Sequence, residues 1–344
     1  MHQSNQQPDA SAIMQVALGF WPSKTLLAAV KLELFTFINH QAFTASQIQA
    51  ALDLDGSHIF DFLDALSSMG FLERKGEGKS ALYSNTMDTG FFLDKTKPAY
   101  IGGFLEMAND REYRFWADLE EGLKTGKPQN EIKYTGKSSF EAIYESPQRL
   151  KQFTDGMSGI QKGSFMAFAD KFDFTPYRRL VDAGGSGGLL SALVAAKHPH
   201  MHCTTFDLPQ LEVLARETIE QLNVSDRVAI HSGDFFNEPL PGADIITMGN
   251  ILHSFDLASK KMLIQKAYQA LPEKGCLVVI ETIIDNERRS NTFAMLMSLN
   301  MLIESDGGFN YTLADFEKWV KEAGFQATSF LPLAGPISAA IAYK

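Results

Sequence analysis

The chain has 344 residues, 45% of them hydrophobic and 21% charged, and a net charge of −10. That length supports two domains with a large core, and the composition is that of a soluble globular protein. The acidic balance argues against nucleic acid or an acidic membrane surface as a partner, and the two distant cysteines, Cys203 and Cys276, have no metal-ligand spacing and suit a reducing, cytoplasmic compartment.

The N-terminal HQSNQQPD is polar and lacks the apolar core of a signal peptide, and no apolar run is expected to reach the length of a membrane span. Residues 11–40 place apolar side chains at helical spacing, with Pro22 at a kink or helix start. A helix follows in TASQIQAALDL, capped by Thr44 or Ser46, and a third in HIFDFLDALSSMG. The strands FLERK and ALYSNT around the turn GEGKS complete a hairpin, so residues 1–97 read as a winged-helix pattern. A DNA-reading helix needs Arg or Lys, yet none occurs from Gly56 to Phe71, where Asp61 and Asp64 stand instead. The expected role is pairing with a second copy, with the apolar N-terminal helix, Phe20 and Trp21 as the interface.

Residues 98–170 form an aromatic-rich helical connection interrupted by a polar loop at 123–138. Its last helix carries Phe153 and Met157, expected to line a pocket. Residues 171–344 then alternate strand and helix, the signature of a doubly wound, mostly parallel α/β sheet whose ligands bind at the carboxyl ends of the strands.

The first strand of that sheet runs into LVDAGGSGGLL, where Asp182 precedes Gly184, Gly185 and Gly187. A strand, a glycine turn and a helix start in succession make a cradle for a nucleotide or anion. The second strand ends in Asp207, where a carboxylate can accept from both hydroxyls of a ribose, with Leu208 next to it. The third ends in GDFF, which places Asp234 to accept from an adenine amino group and Phe235 to stack on the base. Gly249 and then His253 follow the fourth strand, and the fifth ends in Glu281. The glycines lack the GxGxxG spacing of a dinucleotide site, which favours an adenosyl ligand without a pyrophosphate.

The motifs VDAGGSGG, FDLPQ, GDFFNEPLPGADI, ILHSFD and GGFNYT followed by AGF resemble those of S-adenosylmethionine-dependent O-methyltransferases of the caffeate and acetylserotonin type, over almost the whole chain. The resemblance implies a Rossmann-like class I methyltransferase domain behind a dimerisation domain, a homodimer, and a small, hydroxylated, aromatic acceptor. It implies that Gly184, Gly185 and Gly187 approach the methionine moiety, that His253 is the general base and that Glu281 orients it. It also implies that the helix at Asn291–Ile303 faces the acceptor, through Met295, Asn300 and Met301. The chain departs from the family at Ser254, where the pattern has Asp, and at Asn310, where it has a second Glu supporting the histidine. No metal is expected. Two other readings stand beside this one: S-methylation of a small thiol or thioether acid, with Arg111 or Arg114 holding the carboxylate, and a non-catalytic winged-helix binding protein with a vestigial cofactor site.

Overall fold

The computed structural model describes residues 8–137 and 139–344, with the side chains of 139–141 left out of the description. Most of the polar N-terminal stretch that argued against a signal peptide lies outside the described residues. The chain divides into two compact units, up to Arg111 and from Glu112 onward.

The first unit holds helices α1 (Ser11–Ala17), α2 (Phe20–Lys31) and α3 (Leu34–Ile38), strand β1 (Phe43–Thr44), helices α4 (Ala45–Ala51) and α5 (Ile59–Ser68), strands β2 (Leu72–Lys75) and β3 (Leu82–Asn85), and helices α6 (Met87–Phe92) and α7 (Gly102–Met107). Thr44 caps α4 in a reciprocal capping box with Gln47. The three short strands form an antiparallel sheet in the order β1-β3-β2. Val30, Phe35, Ile48 and Leu63 meet in one core, against which Ile101 and Leu105 pack. Lys24 donates to Asn109 and Lys31 pairs with Asp110. These contacts place residues 101–110 with the first unit, next to the winged-helix pattern read over residues 1–97. Asp64 accepts from the buried Tyr83 hydroxyl at 2.7 Å and lies 3.0 Å from Arg74.

The segment Ser11–Lys31 is long and apolar enough to cross a membrane by length and composition, contrary to the expectation from the sequence. Its polar residues Gln15, Ser23, Lys24 and Thr25 break any continuous apolar run, and the segment reaches that length only when α1 and α2 are taken together. Ile13, Val16, Phe20 and Trp21 on it are exposed.

The second unit opens with helices α8 (Tyr113–Phe115), α9 (Leu119–Thr125), α10 (Glu131–Thr135), α11 (Ser139–Tyr144) and α12 (Pro147–Lys171). Helix α10, capped by Asn130, lies inside the stretch expected to be loop. A Rossmann-like unit follows: β4 (Arg179–Ala183), α13 (Leu189–Lys197), β5 (His202–Asp207), α14 (Glu212–Gln221), β6 (Val228–Ser232), β7 (Ile245–Gly249), α15 (Leu257–Ala270), β8 (Cys276–Thr282), α16 (Thr292–Glu304), α17 (Leu313–Ala323), β9 (Ala327–Pro332) and β10 (Ile337–Tyr343). The seven strands lie in the order β6-β5-β4-β7-β8-β10-β9. The first five are parallel, and β10 is antiparallel to both of its neighbours.

Alternation of the side chains explains why these strands read as continuous apolar runs. Leu180, Ile245 and Val278 face a core shared with Phe168, Leu190 and Val194. Their neighbours Val181, Ile246 and Leu277 face the opposite core, with Leu263, Phe316 and Trp319. A sheet covered on both faces needs apolar residues at every position.

Candidate active site

The strand order fixes the order of the functional groups along one edge of the sheet. Asp234 follows β6, Asp207 ends β5, the glycine turn follows β4, Gly249 ends β7 with His253 beyond it, and Glu281 lies near the end of β8.

The glycine turn is held from below. The N–H groups of Gly184 and Gly185 both donate to the Phe206 carbonyl, at 2.8 and 3.3 Å. The Ser186 N–H donates to Asp207 Oδ2 at 2.7 Å, and the other oxygen of Asp207 accepts the Leu208 N–H at 2.7 Å. Gly184 has a φ of +76°, and the Ile251 side chain sits where its Cβ would be. A Cβ on Gly185 would press on Thr205 Oγ1 and come within 2.9 Å of Asp182 Oδ2. Gly187 lies under Thr154 of α12, whose methyl would be 2.8 Å from an added Cβ. Gly249 is covered by the Phe165 ring, 3.0 Å from an added Cβ.

Two acids lie beneath this turn. Asp182 is buried and accepts from Thr247 Oγ1 at 2.7 Å. Burial pushes its carboxyl up to about 7, the Thr247 hydrogen bond opposes this, and the Asp207 charge adds to it. Burial likewise raises Asp207 to about 6, against the two backbone N–H groups that stabilise its anion. Thr154 Oγ1 and Thr205 Oγ1 are buried with no hydrogen-bond partner among the described residues. A small cleft opens beside Asp207, lined by Ser186, Leu208, Leu211, Glu212 and Ile230. A ligand that brings positive charge and hydrogen-bonding groups relieves both the raised acids and the unpaired hydroxyls. S-adenosylmethionine, with a sulfonium, an ammonium and a ribose, has that chemistry.

Asp234 uses its two oxygens locally, accepting from Phe236 N–H at 2.8 Å and Asn237 Nδ2 at 2.7 Å. Phe235 is half-buried and packs edge-on against Phe236 and Phe255. Lys266 fixes this loop by donating to the carbonyls of Phe235, Phe236 and Glu238 at 2.7–2.9 Å.

His253 lies in a single turn, Leu252–Ser254, and is 6% exposed. Its Nδ1 has no hydrogen-bond partner among the described residues, and neither has Asn310 Oδ1, also buried. Asn310 directs its amide nitrogen at Thr282, donating to the carbonyl at 2.8 Å and to Oγ1 at 2.6 Å. Its side chain and the Asn250 backbone interact with the His253 imidazole. Burial holds the imidazole below its ordinary pKa; Glu281 opposes that and Lys260 adds to it. The ring is therefore neutral near pH 7 and able to take a proton.

Glu281, which the resemblance assigns to orienting His253, has no hydrogen bond to the ring among the described residues, although its charge acts on it. It accepts the His253 backbone N–H at 3.3 Å and the Tyr311 hydroxyl, so it holds the turn rather than the imidazole. The strand-end position was legible; which atom of His253 it reaches depends on the path of the turn. Ser254 donates to Met301 Sδ at 3.8 Å.

Of the expected acceptor residues, Met301 is buried beside Ser254, and Met295 and Met157 are half-buried. Asn300 accepts from the Trp116 indole N–H at 2.7 Å, so it is held by the segment before α9. Phe153 lies instead in a small apolar cluster with Leu150, Leu211 and Leu214, on the Asp207 side of the edge. Three residues escaped the sequence reading. Burial raises the Tyr144 phenol, and the charge of Asp207 adds to it. Tyr311 sits inside the GGFNYT motif. Lys260 shares a helical stripe with the buried Leu263, Ile264 and Ala267, a pattern visible in the sequence. Among the described residues no group of three or more His, Cys, Asp or Glu could hold a metal.

Comparison with known proteins agrees with this geometry. Residues 116–326 match the O-methyltransferase domain and residues 14–95 the O-methyltransferase dimerisation domain. The tetracenomycin polyketide synthesis 8-O-methyl transferase TcmO of Streptomyces glaucescens is 36% identical over 332 residues, 96% of either chain. The N,N-dimethyltransferase OxyT of Streptomyces rimosus is 30% identical over 92% of this chain and 91% of its own length. The crystal structure of human N-acetylserotonin methyltransferase in complex with S-adenosylmethionine matches with a TM-score of 0.91 at 25% identity, over 100% of this chain and 99% of that one. The seven-stranded unit is accordingly a class I methyltransferase fold, and the chain is an S-adenosylmethionine-dependent methyltransferase belonging to the O-methyltransferase family.

Proposed function

We propose that this enzyme methylates a hydroxyl of a small aromatic metabolite, with His253 as the general base. The observation that supports the reading most is the buried imidazole, held below its ordinary pKa by burial, with the Asn310 side chain beside it. An Nδ1–H donated to Asn310 leaves Nε2 free to accept the acceptor's proton. A phenol, with a pKa of about 10, needs such a base near neutral pH. The names of TcmO and of the 3-hydroxy-5-methyl-1-naphthoate 3-O-methyltransferase of Streptomyces sahachiroi, 28% identical, describe aromatic or polyketide hydroxyl acceptors.

Within this reading, Asp182, Gly184, Gly185, Gly187 and Leu208 form the cradle for the cofactor. Asp207 binds its ribose, Asp234 and Phe235 its adenine, and Gly249 the floor beside them. The bound sulfonium supplies the methyl group. Met157, Met295, Asn300 and Met301 shape the acceptor side, while Phe153 supports the adenosyl side. The first unit, in a winged-helix arrangement, pairs with a second copy through the exposed Ile13, Val16, Phe20 and Trp21 rather than crossing a membrane. A cytoplasmic location suits the two buried, unbonded thiols of Cys203 and Cys276.

The test is a panel of phenols, naphthols, thiols and aromatic amines with labelled S-adenosylmethionine. Methylation of aromatic hydroxyls is expected; turnover confined to thiols or amines overturns the reading.

A further inference from the structure

Lys260 is a charged side chain with no exposure at all, on the core face of α15 beside Leu263, Ile264 and Ala267. An unpaired ammonium there is costly, so what it touches matters. Its Nζ donates to the Phe255 carbonyl, directly after the turn that carries His253. The same Nζ stands 3.6 Å from the centre of the Phe309 ring and 6.0 Å from that of Tyr311. Phe309 and Tyr311 flank Asn310, the residue facing the imidazole. Glu281 grips the start of the His253 segment through the His253 N–H, and Tyr311 donates to Glu281.

We propose that Lys260 is a positioning residue for methyl transfer: one buried ammonium ties the end of the His253 turn to the Phe309–Tyr311 segment and sets the local charge in which His253 acts. The inference rests on the reading of His253 as base. Burial brings the Lys260 ammonium down to about 8, while Glu281 and Asp256 favour its charged form. The charged groups acting on the imidazole are Glu281 from β8, which favours its protonation, and Lys260 from α15, which opposes it. Losing the ammonium therefore removes the opposing charge and leaves Glu281 unbalanced. That change makes His253 easier to protonate, and a protonated imidazole cannot take a proton.

The experiment compares the wild type with Lys260→Met, which keeps length and apolar packing but removes the charge. The variant is expected to lose roughly tenfold in kcat. Its Kd for S-adenosylhomocysteine, by calorimetry, stays within about threefold, because the Lys260 ammonium contacts Phe255, Phe309 and Tyr311 and reaches the adenine loop only through the Phe255 ring. The His253 ring titration, followed by NMR of labelled histidine and assigned with His253→Gln, moves to higher pH, and the acid limb of kcat moves with it. A merely structural lysine would lower Tm and leave the titration in place. Unchanged kcat and titration overturn the proposal. Should Lys260→Met fold poorly, Phe309→Leu tests the other arm: the charge stays, so kcat falls with no movement of the titration, and unchanged kcat counts against the clamp. Wild-type turnover in His253→Ala would refute the base reading alone, because the ring titration in Lys260→Met reads the Lys260 coupling independently of turnover.

Discussion

Replacing Asp182 with Asn separates the cost of the cofactor cradle from its use. The substitution keeps an oxygen to accept from Thr247 Oγ1, now at 2.7 Å, and removes the charge. Burial raises the carboxyl from 3.8 to about 7. A carboxyl raised on folding favours its protonated form, so its contribution to stability is complete below the unfolded value and lost as pH rises through about 7. That rise corresponds to at most about 4 kcal/mol, and an effect of about 1–3 kcal/mol is expected. The ligand-free Asn variant is therefore expected to melt several degrees above the wild type at about pH 8, with the difference closing towards about pH 4–5. Binding moves the other way. The variant loses affinity for S-adenosylmethionine more than for S-adenosylhomocysteine, which lacks the sulfonium charge. Thermal melts across pH and calorimetry with both ligands measure the two effects. A variant that is no more stable than the wild type at about pH 8, and that binds both ligands as the wild type does, refutes the reasoning.

Gly185→Ala is expected to weaken S-adenosylhomocysteine binding by at least about tenfold in calorimetry, because the new methyl must displace Thr205 or Asp182. Asn310→Asp places a carboxylate beside the imidazole and favours its protonated form, so the acid limb of kcat moves to higher pH; a limb that stays or moves down contradicts the assignment. Tyr311→Phe leaves a buried oxygen of Glu281 without its hydroxyl donor and is expected to cost about 1–3 kcal/mol in urea unfolding, with an accompanying loss of kcat as the His253 turn loosens.

The sequence carried the edge of the sheet well and the contacts across it poorly. Gly249 closes β7 and Glu281 stands one residue before the end of β8, because strands buried on both faces, such as IITMG and CLVVIET, leave a strong apolar signal. Asp207, Asp234 and His253 were legible as positions at strand ends: Asp207 is the last residue of β5, and Asp234 and His253 follow β6 and β7. The partners of His253, Glu281 and Asn310, were legible only through the family resemblance. Asn310 and Glu281 come from separate segments, and only the turn geometry decides that Glu281 meets the backbone N–H while Asn310 meets the ring. Phe153 sits on a helix whose rotation the sequence left open, and it packs beside Leu211, which lines the cleft next to Asp207. Lys260 was hidden by the habit of reading lysine as a surface residue, although its helical stripe is apolar.

The central claim is that His253 takes the proton during methyl transfer. It is tested most directly by single-turnover methylation of an accepted aromatic hydroxyl by His253→Ala, with S-adenosylmethionine saturating. The account predicts a methyl-transfer rate lower by about 10²–10⁴-fold, with the Kd for S-adenosylhomocysteine unchanged. A rate within about twofold of the wild type, at equal cofactor affinity, contradicts it.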